Sequence, residues 1–215
     1  MNNGESGHRH GMRGATLRDA VLDATETLLG SCGYQKMTMD EIAREAGVGR
    51  RTLYLHFSGK EEIALSSIDR VVERLLDVLR GIAAEARGPA DERLRRMLIT
   101  RVLFRFDSVH RYHQSLDSLF EALRPAYMAR RSRYFAAEAA VFADVIADGQ
   151  RQNVFGADGD PTGLAHTLLL ATNALLPYGL SARELGERSE IEARITAIAD
   201  LLLDGLRRSA GARFR

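Results

Sequence analysis

Hydrogen-bond donors are concentrated in residues 50–60 of this sequence. An arginine side chain can donate two parallel hydrogen bonds to guanine in the major groove of DNA, and threonine can contact the methyl group of thymine. Tyrosine, histidine and lysine can each donate to a phosphate oxygen. Base contacts are therefore predicted for Arg50, Arg51 and Thr52. Phosphate contacts are predicted for Tyr54, His56 and Lys60.

A short helix and a glycine turn precede these donors. Thr38 and Glu41 have the spacing of a capping box, so this helix should begin at Met39. Gly47 should end it, because a residue without a Cβ adopts a left-handed conformation at little cost. The spacing therefore predicts a sharp turn directly before the donor-rich stretch.

A second short helix is predicted to open at Gly49. Leu53 and Phe57, at positions i and i+4, give it a narrow inward stripe, so its other positions face outwards. The pair of helices has the pattern of a helix-turn-helix, in which the start of the second helix lies closest to the bases. Ser58 and Glu61 have the spacing of another capping box, and the first turn of the helix that follows offers N–H groups to an anion such as phosphate.

Positive charge is local in this chain. The 215 residues carry a formal net charge of only +1, so attraction for nucleic acid is not a property of the whole molecule. Residues 44–60 contain four positive side chains and one acidic side chain, Glu45. The excess of positive charge therefore lies on the predicted helix-turn-helix.

The sequence around the turn resembles the tetracycline-repressor (TetR) family of bacterial one-component regulators. The matching segments are TMDEIAREAGV at 38–48, RRTLYLHF at 50–57 and GKEEI at 59–63. The resemblance covers about residues 15–63, and beyond them it is only architectural. It implies that the second and third helices form the helix-turn-helix and that the third reads bases. The phosphate contacts that it implies are Thr38, Tyr54, His56 and Lys60.

The sequence departs from the family's pattern at two positions of the second short helix. Gly49, which we include among the predicted DNA-binding positions, stands where many members have a serine cap. Leu55 stands where many members have histidine. One polar contact with DNA is therefore expected to be missing.

The N-terminal part of the chain is predicted to complete the DNA-binding domain. Residues 1–14 have almost nothing to bury, which predicts a disordered arm. Leu17, Val21, Ala24 and Leu28 share one helix face, so a first helix should pack across the helix-turn-helix. The predicted DNA-binding domain spans residues 15–60.

The rest of the chain, residues 61–210, is predicted to form a helical domain for effector binding and dimerisation. No helix breaker interrupts residues 60–86, a length of roughly 40 Å as a helix. Further helices are predicted at 91–108, 113–123, 125–153, 162–178 and 189–208. With the three N-terminal helices, the prediction is an all-α chain of about nine helices.

Polar residues on apolar helix faces mark candidate ligand positions. Arg131 and Glu138 lie on the inward face of the 125–153 helix, where a charge requires a partner. They are about 10 Å apart along the axis, too far to pair with ease. The predicted ligand-binding residues are Phe104, Phe120, Tyr127, Arg131, Tyr134, Glu138, His166 and Asn173. The alternatives are internal salt bridges or interface contacts for the polar residues, and plain core packing for the aromatic ones.

Two C-terminal helices, 162–178 and 189–208, are predicted to pair with the same helices of a second copy. The 189–208 helix has an apolar face that begins at Ile191 and Ile195. Together with the resemblance, this predicts a homodimeric repressor that binds a palindromic double-stranded DNA operator and is released by a small-molecule effector. The alternative is a ligand-binding or adaptor protein whose helix-turn-helix contacts another protein.

Sequence motifs of other function classes are missing. Without a G-x-S-x-G elbow, a P-loop or a G-x-G-x-x-G helix start, no enzyme is predicted, although an all-helical enzyme stays an alternative. No cofactor and no metal site are predicted. The single cysteine, Cys32, excludes an internal disulfide. It is consistent with a reducing compartment, and the absence of a signal peptide or membrane span adds to the prediction of a cytoplasmic protein without membrane contacts.

Overall fold

The computed structural model describes residues 5–85, 88–110, 116–177, 180 and 182–211. No strand occurs among these residues, and the all-α prediction is confirmed. The helices are α1 (Glu5–Ser31), α2 (Gly33–Lys36), α3 (Met39–Glu45), α4 (Arg50–His56), α5 (Lys60–Ala83), α6 (Ala90–Val109), α7 (Leu116–Arg151), α8 (Pro161–Thr172), α9 (Ala182–Leu185) and α10 (Arg188–Gly211). None of the helices described here has the length and apolarity that crossing a bilayer requires.

The helices form two compact units. The first contains the described residues of Met1–Arg70 and Arg111–Arg124, and the second contains those of Val71–His110 and Pro125–Arg215. Two of the three divisions fall inside helices, α5 and α7. The domain limits predicted from the sequence, 15–60 and 61–210, stay predictions, because compactness does not show which segment functions by itself.

The first helix is longer than the apolar pattern indicated. It begins at Glu5, so residues 5–14, predicted to be a disordered arm, are helical. Residues 1–4 of that arm lie outside the described residues. The glycines in this stretch each lower helix stability by about 1 kcal/mol relative to alanine, a smaller cost than the roughly 3 kcal/mol of an internal proline.

One helix, α7, replaces the two that were predicted at 113–123 and 125–153, and Pro125 lies inside it. Proline cannot donate to the carbonyl oxygen of Glu121 and crowds it. Leu123 before the proline and Tyr127 after it are both buried, and burial on both sides stabilises the helix through this position. Residues 113–115 lie outside the described part of the chain.

The core of the first unit is small and apolar. Val21 of α1, Ile42 of α3 and Leu53 of α4 are completely buried, and α3 contacts both α1 and α4. Charged groups add to this packing in the middle of α5. Arg70, itself buried, pairs with Asp23 at 2.7 Å and with Glu26 at 2.5 Å, both on α1. The first helix is therefore fixed against α5 as well as against α3.

The second unit is built around the pair α6 and α10, which have the most extensive contact between helices. The buried face of α10 consists of Ile191, Ile195, Ala199 and Leu203, so the start of the predicted apolar face packs within the subunit. The helix predicted at 162–178 ends at Thr172 and continues as the 3-10 turn Asn173–Leu175. α9 lies within the loop that was expected between the last two helices.

Candidate nucleic-acid interface and ligand site

A capping box sets the start of α3, as predicted. Thr38 has an extended backbone, and its hydroxyl oxygen accepts a hydrogen bond from the Glu41 N–H at 3.2 Å. The Glu41 carboxylate in turn accepts from the Thr38 N–H at 2.9 Å and from its hydroxyl at 2.8 Å. The hydrogen bonds from Thr38 hold the pKa of the Glu41 carboxyl below its ordinary value. The hydroxyl of Thr38 therefore both donates and accepts inside the protein.

The turn between α3 and α4 contains two glycines with different roles. Gly47 has a φ of 65°, in the left-handed region that disfavours side chains. Gly49 is the N-cap of α4 with a φ of −67°, and a Cβ there would meet only the Thr52 hydroxyl at 3.6 Å. Gly47 is therefore required by the backbone, whereas a serine would fit at Gly49.

The outward face of α4 carries the predicted DNA-binding side chains. Leu53 and Phe57 are buried beneath it, as the i, i+4 spacing predicted. Thr52 is half-buried, and Leu55 is 76% exposed. The other exposed side chains of α4 are Arg50, Arg51, Tyr54 and His56. The helix therefore presents cationic and aromatic groups on a rigid, core-packed base.

Arg50 contacts two residues of its own chain. Its Nη1 donates to the Asp40 carboxylate on α3 at 3.0 Å. The carbon of its guanidinium lies 5.7 Å from the centre of the Tyr54 ring, a cation–π distance. The side chains of Arg50 and Asp40 remain 65% and 62% exposed. Arg50 is thus oriented without being removed from solvent.

Lys60 binds the protein backbone. Its Nζ donates to the carbonyl oxygens of Tyr34 at 3.1 Å, Gln35 at 3.4 Å and Met37 at 3.2 Å. It also lies 4.7 Å from the centre of the Tyr34 ring. A lysine has three N–H donors, so all of them have acceptors at the end of α2. A phosphate contact from Lys60 stays a prediction, and it would require these hydrogen bonds to be exchanged.

The second predicted capping box, Ser58 with Glu61, is wrong. The N–H and the hydroxyl of Ser58 both donate to the carboxylate of Glu62, at 2.6 Å and 2.7 Å. Because α5 begins at Lys60, Ser58 lies too far before the first turn for the three-residue spacing. A carboxylate therefore lies beside the start of α5, where it disfavours binding of a second anion.

The interior of the second unit contains a buried ionic network that the sequence analysis did not predict. Glu138 on α7 accepts from Arg101 Nε at 2.6 Å and from a terminal nitrogen of Arg105. Arg101 also donates to the Thr172 hydroxyl at 2.8 Å and to the Asn173 side-chain oxygen at 2.9 Å. Burial alone would raise the pKa of the Glu138 carboxyl, but Arg105 and Arg101 outweigh burial and hold it below its ordinary value.

This network gives Glu138 an internal partner, the alternative left open by the sequence, and Asn173 belongs to the same network. The sequence analysis missed Arg101 and Arg105. A signal was present, because both follow Leu94 and Leu98 on one face of α6 at helical spacing. Two arginines on an apolar face required a carboxylate partner as much as Glu138 required a cation.

The other ligand candidates do not gather at one described cavity. Phe120 belongs to the first unit, and the other five belong to the second. Tyr127 and Tyr134 are buried with ring centres 6.5 Å apart, and His166 stacks on Phe135 at 5.4 Å. Phe104 and Arg131 are half-buried.

A surface groove of 580 Å³ is present in the second unit. No ligand candidate is among the described residues that line it. These residues are Arg80, Ala83, Ala84, Ala137, Ala140, Val141 and Asp144.

Comparison with known proteins finds similarity around the helix-turn-helix and, at lower identity, over most of the chain. Residues 21–66 match the family described as "Bacterial regulatory proteins, tetR family". The HTH-type transcriptional regulator AlkX of Mycobacterium tuberculosis is 38% identical over 63 residues, which are 29% of this chain and only 30% of AlkX. The HTH-type transcriptional regulator EthR of the same species is 28% identical over 179 residues, 82% of this chain and 80% of EthR.

A solved structure extends the similarity to the whole fold. The crystal structure of a transcriptional regulator from Cytophaga hutchinsonii superposes with a TM-score of 0.72 at 20% identity, covering 88% of this chain and 97% of that one. Two short helices, a left-handed glycine turn and an exposed cationic second helix define a helix-turn-helix protein. Residues 21–66 belong to the tetR family of bacterial regulatory proteins, and the chain is a transcriptional regulator and not an enzyme.

Proposed function

We propose that this regulator is a repressor that binds a palindromic operator as a homodimer and is released by a small-molecule effector. The observation that supports operator binding most directly is the exposed face of α4 above the buried Leu53 and Phe57. This face has a rigid base and carries donors suited to base edges and phosphates. Because bacterial DNA lies in the cytoplasm, an operator-binding protein is also proposed to work there.

The proposed DNA contacts divide by position on the helix-turn-helix. Arg50, Arg51 and Thr52 begin α4, and the residues near the start of a recognition helix lie closest to the bases. Contacts to the DNA backbone are proposed for Thr38, Gly49, Tyr54 and His56. The Thr38 hydroxyl would have to share its hydrogen bonds with the capping box.

The homodimer is proposed to form through α8 and α10. Leu170 on α8 and Leu201 on α10 are 59% and 72% exposed. Contact of α8 and α10 with a second copy would remove the apolar area of both side chains from water. A second copy is the simplest partner, because a palindromic operator requires twofold symmetry.

The effector is proposed to bind in the second unit, where aromatic side chains such as Tyr127, Tyr134 and Phe104 can contact an apolar molecule. α5 supplies residues to both units, so we propose α5 as the element through which binding reaches α4. Two recognition helices must meet half-sites about 34–36 Å apart for one turn of DNA. By linkage, the effector must bind the DNA-free form more tightly.

The test is a gel shift with the DNA upstream of the protein's own gene, using the wild type and Arg51→Ala. A shifted band that weakens with Arg51→Ala and with rising salt is expected, because counterions are released on binding. Sedimentation of Leu201→Glu would test the dimer, and Leu55→Glu is the matched control because Leu55 is equally exposed but lies on α4.

Each part of the proposal has an outcome that would contradict it. A protein that captures no upstream DNA but binds another protein through α4 would support the adaptor alternative. A reporter whose expression falls when the gene is deleted would make the regulator an activator. Monomers in the wild type would contradict the proposed interface.

A further inference from the structure

Asp40 lies on α3, across the turn from the recognition helix. Its carboxylate accepts a hydrogen bond from Arg50 Nη1 at 3.0 Å, while the Tyr54 ring lies 5.7 Å from the guanidinium on the same arginine. We infer that Asp40 determines base specificity by orienting the guanidinium of Arg50. This inference rests on the proposed function, since it requires α4 to read DNA.

The chemistry of arginine allows one side chain to serve both partners. A guanidinium carries five N–H donors in a fixed plane, and reading guanine uses two parallel donors to O6 and N7. The hydrogen bond to Asp40 engages one terminal nitrogen. The remaining donors of Arg50 can therefore face a base while the carboxylate holds the plane of the group.

Orientation matters because an arginine side chain has many rotamers. A side chain that is ordered only on binding loses that freedom in the complex, which reduces affinity. Asp40 and Tyr54 restrict Arg50 before DNA arrives. Pre-ordering favours a base that matches the fixed geometry and disfavours one that would need another rotamer.

A carboxylate beside the recognition helix also acts on sequence-independent binding. Its charge repels phosphate, and an arginine paired with it is less available to wrap around the nearest phosphate. Both effects reduce affinity for all DNA alike, so they leave the preference between base pairs unchanged. Only the orienting effect is confined to one base pair.

The size of the expected effect follows from exposure. Arg50 and Asp40 are 65% and 62% exposed, and exposed ion pairs couple weakly. Loss of the carboxylate should therefore reduce discrimination at the Arg50 position roughly two- to fivefold. Loss of the arginine itself should reduce it roughly 5- to 150-fold, the range for one bidentate base contact.

The experiment begins with selection of a preferred duplex from a randomised DNA library by the full-length wild type. Affinities are then measured for that duplex and for its single-base-pair substitutions. The variants are Arg50→Ala, which identifies the base pair read by Arg50, and Asp40→Asn, which keeps the shape of the side chain and removes its charge. Glu45→Gln is the matched control, because Glu45 is another exposed acid on α3.

The expected result is that Asp40→Asn loses preference at the base pair identified by Arg50→Ala and keeps it elsewhere, while Glu45→Gln changes only overall affinity. The double variant Asp40→Asn with Arg50→Ala should discriminate between base pairs no less than Arg50→Ala alone. Equal behaviour of Asp40→Asn and Glu45→Gln would overturn the inference and leave the proposed function intact. A loss of affinity in Arg50→Ala that is the same on all sequences would have the same two consequences. A wild type that selects no duplex would overturn the proposed function itself.

Discussion

The two units each contain an arginine–carboxylate pair, and the pairs differ mainly in their access to water. Arg50 and Asp40 in the first unit are 3.0 Å apart with side chains 65% and 62% exposed. Arg101 and Glu138 in the second unit are 2.6 Å apart with side chains 1% and 2% exposed. The same chemistry therefore lies at a solvated surface in the first of these pairs and in a core in the second.

This difference decides what each pair can do. Coulomb attraction between exposed groups is weak because water competes for both, so Arg50 can exchange its partner for a base at little cost. Buried charges have no water to return to, and removing one leaves the other unpaired. The exposed pair is suited to recognition, whereas the buried pair is a structural element that joins α6 to α7.

The largest expected effect comes from breaking the buried pair. Glu138→Ala leaves Arg101 and Arg105 without their carboxylate, and the free energy of unfolding should fall by about 3–5 kcal/mol. For a chain of this size, each kcal/mol lowers the melting temperature by about 2–4 °C. Thermal unfolding followed by circular dichroism measures the change, with Glu190→Ala on the exposed side of α10 as the control. A melting temperature equal to that of the control would show that the network contributes nothing.

The contribution of the Glu138 carboxylate to stability should also depend on pH. The pKa of Glu138 is lower in the folded protein than its ordinary value, because Arg105 and Arg101 outweigh burial. Its contribution is therefore complete above the unfolded pKa, about 4.3, and is lost as the pH falls through the lower folded value. The stability difference between the wild type and Glu138→Gln should be constant near neutral pH and shrink below about pH 4. A difference that shrinks near pH 6 would contradict the direction of the pKa change.

A variant of Lys60 tests whether this side chain stabilises the first unit or contacts DNA. Lys60→Met keeps most of the aliphatic stem but removes three hydrogen bonds to the end of α2, and unfolding free energy should fall by about 1–2 kcal/mol. The slope of log affinity against log salt should stay unchanged, because the ammonium binds carbonyl oxygens. A slope reduced by about 0.9 would instead show a phosphate contact, as the family resemblance implied.

Sequence alone predicted the features that depend on neighbours in the chain. Thr38 and Glu41 are three residues apart, Leu53 and Phe57 are four apart, and Gly47 acts on its own backbone. Caps, stripes and left-handed turns are specified within one or two helical turns. For the same reason the position of the helix-turn-helix follows from the sequence without any tertiary contact.

Apart from the Ser58 contact, which uses Glu62 and not Glu61, the main features that sequence reasoning missed depend on distant partners. Arg101 and Glu138 are 37 residues apart, and Lys60 and Tyr34 are 26 apart. Their meeting is decided by packing of whole helices, which spacing within one helix cannot reveal. Pro125 illustrates the same limit, since burial of its neighbours outweighed the local preference of proline to end a helix.

The smallest expected effect tests a local feature that the sequence did predict. Thr38→Ala removes the hydroxyl of the capping box of α3, which should cost about 1 kcal/mol of unfolding free energy. Thr27→Ala is the matched control, because the Thr27 hydroxyl bonds the Asp23 carbonyl in the middle of α1, where alanine is the better helix former. Chemical denaturation should therefore show a loss for Thr38→Ala and none for Thr27→Ala. Equal stability of the two variants would mean that the carboxylate of Glu41, not the hydroxyl of Thr38, supplies the cap of α3, which would then depend on one group instead of two.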